Sequence, residues 1–425
     1  MRDTVIIFGG DGYIGWPLGL NLAWRTDDNV VVVDNLVTRR LVESVGSDSL
    51  VPIGSPSSRV QAYRRASGKD NLTFVRADAR DPKEVDWVIS KYQPQKVVHL
   101  AQQRSAPFSM IDQEHALYTE LNNVATNLNI VFSMTRHVPG AHLLKMGTMG
   151  EYGTPNIEIT EGPVEIRRNG RRHMAMFPRA AQSWYHLSKI FDTFNVMLAN
   201  KVHGLRATDV MQGVVYGSQT GEIADEALST RFDLDAIWGT VINKYVAQAV
   251  VYNKLLIYGK GRQTRGYLSL YDSIKCLSLL LDNPPTEGEY RVVNQIDETF
   301  DTVQLAEKVK VIAGEFGYRV GFEKVRNPRV ESEAHYYKVQ HKILPSLGFS
   351  RTKQIDEVIR EMFQTVTKYK PRAMKMKALL APSVTWGGRK KIASDAFQLP
   401  RDLTGWPASQ ELIELAKDQA ARVPS

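Results

Sequence analysis

The stretch Val5-Ile6-Ile7-Phe8-Gly9-Gly10-Asp11-Gly12-Tyr13-Ile14-Gly15 decides the fold that we predict for this chain. Its apolar first part predicts a buried β-strand, and a helical segment follows to about Arg25. The glycines at positions 9, 12 and 15 allow a tight turn and let a diphosphate approach the N-terminus of the helix. A strand, a glycine-rich turn and a helix in this order are typical of a dinucleotide-binding site. The alternative is a strand-turn-helix unit that binds no ligand.

The second strand, Val30 to Val33, ends in an acidic residue, Asp34. An acid about twenty residues after the glycines can bind both ribose hydroxyls and repel a 2′-phosphate, which favours NAD over NADP. Arg39 and Arg40 could instead hold a 2′-phosphate, but Asp34 has the more direct position. Asp78, after a later strand, is predicted to bind the adenine amine unless it only caps a helix. The residues predicted to contact NAD are Gly9, Gly12, Tyr13, Ile14, Gly15, Asp34, Asn35, Arg39, Asp78, Ala79, Leu100, Asn122, Tyr185, Lys189, Gln212 and Val215.

Length and composition indicate a soluble enzyme of two lobes. The chain has 425 residues, 43% of them hydrophobic and 24% charged. Its formal charge of +8 suits anionic small ligands, but the basic residues are spread along the chain, so we predict no nucleic-acid partner. One cysteine, Cys276, excludes an internal disulfide and a cysteine-based metal cluster, and we predict a cytoplasmic protein without a metal. We expect neither a targeting segment nor a membrane span.

A tyrosine and a lysine four residues apart are the strongest candidates for catalysis. Tyr185 and Lys189 fall in a predicted helix from about Ala180 to Asn200, where this spacing places both on one face. The ammonium should lower the pKa of the phenol, so that Tyr185 can act as a base. Thr148, which follows the predicted strand from His142 to Met146, should reach the same edge of the sheet. The alternative is a pair at the margin of the core with a snorkelling amine.

The predicted helix is also apolar around most of its circumference. A helix with so small a wet face must be covered on two sides, which predicts that it packs against a second subunit. We therefore predict a homodimer or a higher homo-oligomer.

Several arginines lie in predicted loops where they could bind anions. Arg104 follows the strand Lys96 to Leu100, at the sheet edge where ligands gather. Arg262 and Arg265 lie in the turn of a predicted hairpin over residues 256–267, and Arg329 lies in a later loop. Their charge and bidentate geometry suit a nucleotide diphosphate. We also predict a long insertion at 43–70 and a polar loop at 154–179.

Longer runs of sequence carry a family resemblance. The chain resembles the extended short-chain dehydrogenases/reductases from its first strand to about Trp386, and in particular those members that add sulfite to a nucleotide sugar. The resemblance rests on Gln103-Arg104-Ser105-Ala106-Pro107, Gly147-Thr148-Met149-Gly150-Glu151-Tyr152-Gly153-Thr154-Pro155, Tyr185-His186-Leu187-Ser188-Lys189, Gln212-Gly213-Val214-Val215-Tyr216-Gly217 and Gly259-Lys260-Gly261-Arg262-Gln263-Thr264-Arg265-Gly266-Tyr267-Leu268.

The resemblance implies that UDP-glucose and sulfite are converted to UDP-sulfoquinovose with NAD. Tyr185, supported by Lys189 and Thr148, would deprotonate the hydroxyl at sugar carbon 4. The acid pair of related 4,6-dehydratases is replaced by Met149-Gly150, so Glu151 and His186 remain as candidates for the dehydration step. The alternative activity is that of an NAD-dependent nucleotide-sugar 4-epimerase or 4,6-dehydratase. The predicted substrate contacts are Arg104, Thr148, Gln212, Arg262, Gln263, Arg265 and Arg329.

Together these patterns predict an α/β fold, a doubly wound parallel Rossmann sheet with a smaller α/β substrate-binding domain. The NAD-binding domain is predicted to comprise residues 1–213 and about 237–282. A nucleotide-sugar-binding domain would comprise about 214–236 and 283–400, followed by a C-terminal tail at 401–425.

Overall fold

The computed structural model describes residues 2–331, 334, 336–387 and 398–403. Its strands, numbered along the chain, are β1 (Thr4–Phe8), β2 (Asn29–Asp34), β3 (Leu72–Arg76), β4 (Lys96–His99), β5 (His142–Thr148), β6 (Pro163–Arg168), β7 (Arg171–Met176), β8 (Ala207–Gln212), β9 (Val214–Tyr216), β10 (Lys254–Tyr258), β11 (Thr264–Ser269), β12 (Tyr290–Gln295), β13 (Glu298–Asp301) and β14 (Gly321–Val325). Its helices are α1 (Gly15–Arg25), α2 (Val37–Ser44), α3 (Pro56–Ser67), α4 (Pro82–Tyr92), α5 (Ala106–Ser109), α6 (Gln113–His137), α7 (Trp184–His203), α8 (Val241–Tyr252), α9 (Leu270–Asp282), α10 (Thr302–Glu315), α11 (Ile343–Ser346), α12 (Ile355–Lys368) and α13 (Lys370–Lys375).

Seven strands form a parallel central sheet in the order β3-β2-β1-β4-β5-β8-β12. Ile6 of β1 is in register with Val31 on one side and with Val97 on the other. All five residues of β1 are buried, as expected of a parallel strand that is covered on both faces. The strand order reverses between β1 and β4, and a ligand crevice is expected at the carboxyl ends of those strands. The predicted doubly wound Rossmann sheet is confirmed.

Helices cover both faces of this sheet and enclose separate apolar cores. On one face α1, α3 and α9 bury residues such as Trp16, Tyr63 and Leu277. On the other face α4, α6 and α7 bury residues such as Val88 and Ile130. A further core lies among α8, α10 and α12, next to the two-stranded sheet of β10 and β14. This last core forms the smaller α/β part of the fold.

Three local predictions were wrong. Residues 256–267 do not form a hairpin, because β10 pairs with β14 whereas β11 pairs with β9 and β13. Residues 290–295, which the predicted division assigned to the second domain, form the edge strand of the central sheet beside β8. The predicted insertion at 43–70 contains the whole of α3, which packs in the core through Val60 and Tyr63. The other predicted domain boundaries stay a prediction.

The predicted polar loop contains a regular element, the antiparallel hairpin of β6 and β7. Its arginines at 167, 168, 171 and 172 are exposed. Of the predicted C-terminal tail, the structure describes residues 401–403, and the amphipathic segment expected from Ser409 to Ala421 lies outside the described residues. Among the helices that the structure describes, none has the length and the apolar character needed to cross a membrane.

Candidate active site

One cavity of about 400 Å³ runs along the carboxyl edge of the central sheet. The glycine-rich turn after β1 lines one end, and Gln263, Arg265 and Arg329 line the other. Thr148, Tyr185 and Lys189 lie on its wall between these ends. The residues predicted to bind the cofactor, to act in catalysis and to bind the substrate therefore line one continuous cavity, except for Arg39, Glu151 and Arg262.

The glycine-rich turn is packed so closely that side chains are excluded from it. Gly9 has a positive φ of 87°, and a Cβ there would lie 2.5 Å from the Leu100 carbonyl carbon. A Cβ at Gly15 would collide with the Gly9 carbonyl oxygen. The helix α1 that begins here has no side-chain cap on its N-terminus. Its first turn therefore offers amide donors and the positive end of the helix dipole to an anion, as the diphosphate of NAD requires.

Asp34 lies at the end of β2 and lines the cavity, as predicted. Its carboxylate accepts hydrogen bonds from the backbone N–H groups of Asp11, at 2.9 Å, and Leu36, at 2.6 Å. Burial, together with the nearby Asp11 carboxylate, raises the pKa of Asp34 to about 6. At neutral pH the side chain is thus mainly ionised and suited to accept hydrogen bonds from ribose hydroxyls.

Arg39 does not line the cavity and is not placed to bind the cofactor as predicted. Its guanidinium forms two 2.8 Å hydrogen bonds with Asp11, which also pairs with the buried Arg59. Arg40 pairs with Asp402 instead. Both arginines that could have held a 2′-phosphate are thus bound to carboxylates, which removes the sequence argument for NADP.

The remaining predicted cofactor contacts line the cavity: Gly12, Tyr13, Ile14, Asn35, Asp78, Ala79, Leu100, Asn122, Gln212 and Val215. Asp78 does not cap α4, because that role belongs to Asp81. The Asp78 carboxylate instead pairs with Arg80 at 2.8 Å. Burial acts to raise its pKa, but the hydrogen bonds and charge of Arg80, with a hydrogen bond from Asn35, together hold the pKa below its usual range.

Tyr185 and Lys189 lie one turn apart near the start of α7, which Ser183 caps. The Lys189 ammonium nitrogen is 5.9 Å from the centre of the Tyr185 ring. It donates to the Met146 carbonyl at 2.6 Å and to the side-chain oxygen of Gln102. The β5 backbone and the loop after β4 therefore hold the ammonium beneath the phenol.

The predicted lowering of the Tyr185 pKa is wrong for the free protein. Burial raises the pKa of Tyr185 well above its ordinary value, and the Glu151 carboxylate adds to this effect. Arg104 and a hydrogen bond from Thr148 act in the opposite direction but do not compensate. Burial also lowers the pKa of Lys189. The free site therefore has a neutral phenol at pH 7, next to an ammonium that loses its proton more readily than an exposed lysine.

Glu151 does not line the cavity, and its predicted role in dehydration is contradicted by its surroundings. Its side chain is fully buried and accepts hydrogen bonds from the Thr148 N–H, at 3.2 Å, and from the Thr193 hydroxyl, at 2.9 Å. Lys145 and Arg179 lie at 3.7 and 3.4 Å. Glu151 is therefore a positioning residue, which closes a capping box with Thr148 and compensates two buried cations.

His186 lines the cavity and is the remaining candidate for the dehydration step. Its Nδ1 atom lies 3.0 Å from the Ser183 hydroxyl, and Ser183 also accepts the His186 backbone N–H. Burial and the cations Arg329 and Arg265 lower its pKa to about 3. The imidazole is therefore neutral at pH 7. If Nδ1 carries the proton and donates to Ser183, the Nε2 atom is free to accept a proton from a ligand, whereas the other tautomer would donate one.

Arg104, at the loop after β4, lines the cavity but is not a free anion site. It pairs with Asp233 and donates to the Trp238 carbonyl oxygen at 3.1 Å. Asp233 also pairs with the buried Arg231 at 3.0 Å. Arg104 therefore contributes positive charge beside Tyr185 from a fixed position.

Gln212, Gln263, Arg265 and Arg329 line the substrate end of the cavity, as predicted, whereas Arg262 does not. Arg262 is 62% exposed and pairs with Asp301 at 3.0 Å. The Gln263 amide is buried, and neither its nitrogen nor its oxygen has a hydrogen-bond partner among the described residues. Such an amide is suited to a polar ligand.

Sequence reasoning missed the segment before α8. Trp238 and Thr240 line the cavity, and the Trp238 Nε1 and Thr240 Oγ1 atoms are buried without partners among the residues that the structure describes. No side chain caps α8, so its N-terminus opens on the same space. The Trp-Gly-Thr sequence before an apolar helix is the signal that the sequence offers for this segment.

The fold and the Tyr185 and Lys189 site define a nucleotide-dependent oxidoreductase of the Rossmann type. The sequence profile of the NAD dependent epimerase/dehydratase family matches residues 5–294, and the chain belongs to that family. Among curated proteins, it is 45% identical over 383 residues to the UDP-sulfoquinovose synthase of Sulfolobus acidocaldarius, covering 90% of this chain and 97% of that protein. It is 42% identical to the chloroplastic UDP-sulfoquinovose synthase of Spinacia oleracea, covering 92% of this chain and 80% of that protein. Within the family, it therefore groups with the UDP-sulfoquinovose synthases.

Solved structures agree in fold. A UDP-glucose 4-epimerase from Bifidobacterium longum in complex with NAD+ and UDP has a TM-score of 0.64 at 17% identity, covering 87% of this chain and 99% of that one. A dTDP-glucose 4,6-dehydratase from Bacillus anthracis in complex with NAD has a TM-score of 0.62 at 16% identity, covering 87% and 98%. NAD is the cofactor of the family, and the crowded glycines, the uncapped α1 and the ionised Asp34 fit it.

Proposed function

We propose that this protein is a UDP-sulfoquinovose synthase, which converts UDP-glucose and sulfite to UDP-sulfoquinovose. The observation that carries the proposal is the convergence of Thr148, Tyr185 and Lys189 on a cavity in which His186 stands over a glycine at position 150. The identity to UDP-sulfoquinovose synthases over nine tenths of the chain supports the same activity.

The first part of the reaction is oxidation at sugar carbon 4. Tyr185, which is neutral in the free protein, takes the proton of the carbon 4 hydroxyl as the phenolate. Arg104 and the Thr148 hydrogen bond favour that form, Lys189 lies beneath the ring, and the positive charge of a bound nicotinamide would favour the phenolate further. A bound NAD, held by the glycine-rich turn, the α1 N-terminus and Asp34, would supply the hydride acceptor for carbon 4 and the donor that restores this hydride. The ketone so formed acidifies the hydrogen at carbon 5, which prepares the sugar for elimination.

The second part is elimination of water and addition of sulfite. Carbon 5 loses its proton, carbon 6 loses its hydroxyl, and a conjugated enone results. We assign the transfer of the first proton to the departing hydroxyl to His186, because it lines the cavity whereas Glu151 is fully buried and does not. The sulfur of sulfite then bonds to carbon 6, carbon 5 takes a proton from water through His186, and Tyr185 returns its proton to the oxygen at carbon 4.

The charge of the site suits a sulfite dianion. His186 is neutral, residue 150 has no side chain, and Arg104 keeps a positive charge beside Tyr185. A carboxylate in place of Gly150 would repel the incoming anion by direct charge repulsion. This pocket is therefore better adapted to sulfite than one with an acidic pair.

The nucleotide part of the substrate is assigned to the other end of the cavity. Arg329 supplies positive charge for the diphosphate, and Arg265, which also pairs with Glu331, adds to it. The α8 N-terminus adds amide donors. The buried polar atoms of Gln263, Trp238 and Thr240 lack partners, which supports their assignment to bound UDP.

We further propose a homodimer formed by α6 and α7, which pack side by side. Large apolar side chains project from both helices into solvent, contrary to the usual burial of such residues. The exposed members are Leu117, Leu121, Phe132, Trp184, Phe191, Phe194, Leu198 and Val202. A second copy of the same surface is the occupant that best explains them.

A cytoplasmic location is proposed as well, on the single buried cysteine.

The test of the proposed function is an assay of the purified protein with UDP-glucose, in the presence and absence of sulfite. We expect a sulfonated nucleotide sugar, identified by mass, only when sulfite is present. A 4-epimerase would instead give an isomer of unchanged mass, and a 4,6-dehydratase would give a product lighter by one water. Either of these products in place of the sulfonate would contradict the proposal.

A further inference from the structure

An amide on the cavity wall links Lys189 to a carboxylate on the same helix. The side-chain oxygen of Gln102, in the loop after β4, accepts a hydrogen bond from the Lys189 ammonium. The Gln102 nitrogen donates to Asp192 Oδ2 at 2.5 Å and to the Asn123 carbonyl oxygen at 3.1 Å. Because an ammonium only donates and an ionised carboxylate only accepts, these partners fix the orientation of the amide. Gln102 therefore connects a cation and an anion that do not touch.

The two charged groups are buried, whereas Gln102 is partly exposed. Asp192 is fully buried, Lys189 is 3% exposed, and Gln102 and Lys189 face the cavity. In such surroundings a single charge has a large effect on the protonation of its neighbours. Asp192 Oδ1 has no hydrogen-bond partner among the described residues. Hydrogen bonds therefore satisfy only one oxygen of the Asp192 carboxylate.

Charged and titratable groups from each neighbouring helix and strand face Lys189 and Asp192. Those that face Lys189 are Asp192 and Tyr185 on α7, Lys145 on β5, Asp209 on β8, His99 on β4 and Glu151. Those that face Asp192 are Lys145, Lys189, Glu151 and, from α6, Glu120. Lys145 opposes the ammonium state of Lys189, whereas the carboxylates favour it, with Asp192 the foremost.

We propose that Gln102 and Asp192 are positioning residues for Lys189. Gln102 fixes the ammonium in place beneath Tyr185, and Asp192 supplies the negative charge that keeps this buried amine protonated. The effect of the pair on turnover rests on the proposed function, whereas the charge coupling itself does not. Burial raises the pKa of Asp192 to about 7, so its carboxylate is mainly charged near pH 8, where Lys189 loses its proton. Burial lowers the pKa of Lys189 and the Asp192 charge raises it, so removing that charge must lower the pKa of Lys189 further.

The experiment measures the protonation of Lys189 without requiring turnover. The NAD-loaded protein is exposed to trace acetic anhydride over a range of pH, and acetylation of the Lys189 peptide is quantified by mass spectrometry. The midpoint of labelling should fall by about one pH unit in Asp192→Asn, because a neighbouring charge is lost. The double variant Asp192→Asn with Gln102→Glu should restore the midpoint, since it places a carboxylate directly on the ammonium.

The matched control is Asp86→Asn, which removes the same charge from an exposed site paired with Arg136. Coincident curves for wild type and Asp192→Asn overturn the proposal, and so does an equal shift in the control. Where Asp192→Asn does not fold, Gln102→Leu provides the test, with increased labelling expected because the ammonium is released.

The alkaline limb of the rate of NAD reduction by UDP-glucose should move with the labelling midpoint. A labelling shift without any NAD reduction would support the coupling and contradict the proposed function.

Discussion

The imidazole of His186 occupies the space into which a side chain at residue 150 would project. A Cβ built on Gly150 collides with the Nε2 atom of His186. The absence of an acid at this position and the presence of His186 are therefore parts of one arrangement. The space that an acidic side chain at residue 150 would fill is instead filled by the neutral imidazole of His186 on α7.

Gly150→Ala should inactivate the enzyme while leaving the fold intact. The added methyl group must displace the His186 ring, and a shift of about 1 Å at a reacting group can cost about a hundredfold in rate. Steady-state formation of the sulfonated product measures the effect. The control is Gly140→Ala, because a Cβ at Gly140 meets no atom within 4 Å. Equal activity of the two variants would show that His186 does not act at this position.

Glu151→Gln should lower stability more than it lowers the catalytic rate. Glu151 compensates the buried cations Lys145 and Arg179, and breaking a buried ion pair costs about 3–5 kcal/mol of unfolding free energy. Thermal unfolding and kcat at a temperature where the variant is folded give the two measurements. Glu158→Gln is the control, because Glu158 pairs with Lys338 on the surface. A large loss of kcat at unchanged stability would restore Glu151 to the chemistry.

The affinity for NAD should fall as the pH is lowered through about 6. The pKa of Asp34 is raised to about 6, so its carboxylate is charged above that pH and progressively neutral below it. Only the charged form accepts hydrogen bonds from both ribose hydroxyls. Titration calorimetry of cofactor-stripped protein measures the dependence, and Asp34→Asn should abolish it together with most of the affinity. A dependence that persists in Asp34→Asn would assign it to another group.

Phe194→Asp should convert the proposed dimer to monomers. Phe194 is 47% exposed on α7, within the apolar surface of α6 and α7, and a buried unpaired charge at an interface is strongly unfavourable. Sedimentation velocity measures the oligomeric state. Val311→Asp is the matched control, because Val311 is an exposed apolar residue on α10. A wild-type protein that sediments as a monomer would contradict the proposed assembly.

The sequence was sufficient for features that depend on local pattern. The strand and the glycine turn from Val5 to Gly15 predicted the Rossmann sheet, because a buried parallel strand and a tight turn each have a local signature. The spacing of Tyr185 and Lys189 predicted their common face for the same reason. These inferences needed only the periodicity of a helix and a strand.

What the sequence could not give was the partner of each charged group. Arg39 and Arg262 were predicted to bind ligands, but each pairs with a carboxylate, Asp11 or Asp301, that is distant in sequence. The raised pKa of Tyr185 arises from burial, which the spacing of residues does not reveal. Strand pairing in the smaller lobe failed similarly, because β10 finds its partner in β14 across many intervening residues.

The most direct test of the central claim is the absorbance of bound NAD during a single turnover. Addition of UDP-glucose alone to the NAD-loaded protein should produce NADH absorbance, and subsequent addition of sulfite should remove it as UDP-sulfoquinovose forms. Tyr185→Phe should show neither change. NADH that forms but persists in sulfite, or a sulfonated product that appears without any NADH signal, would contradict the account.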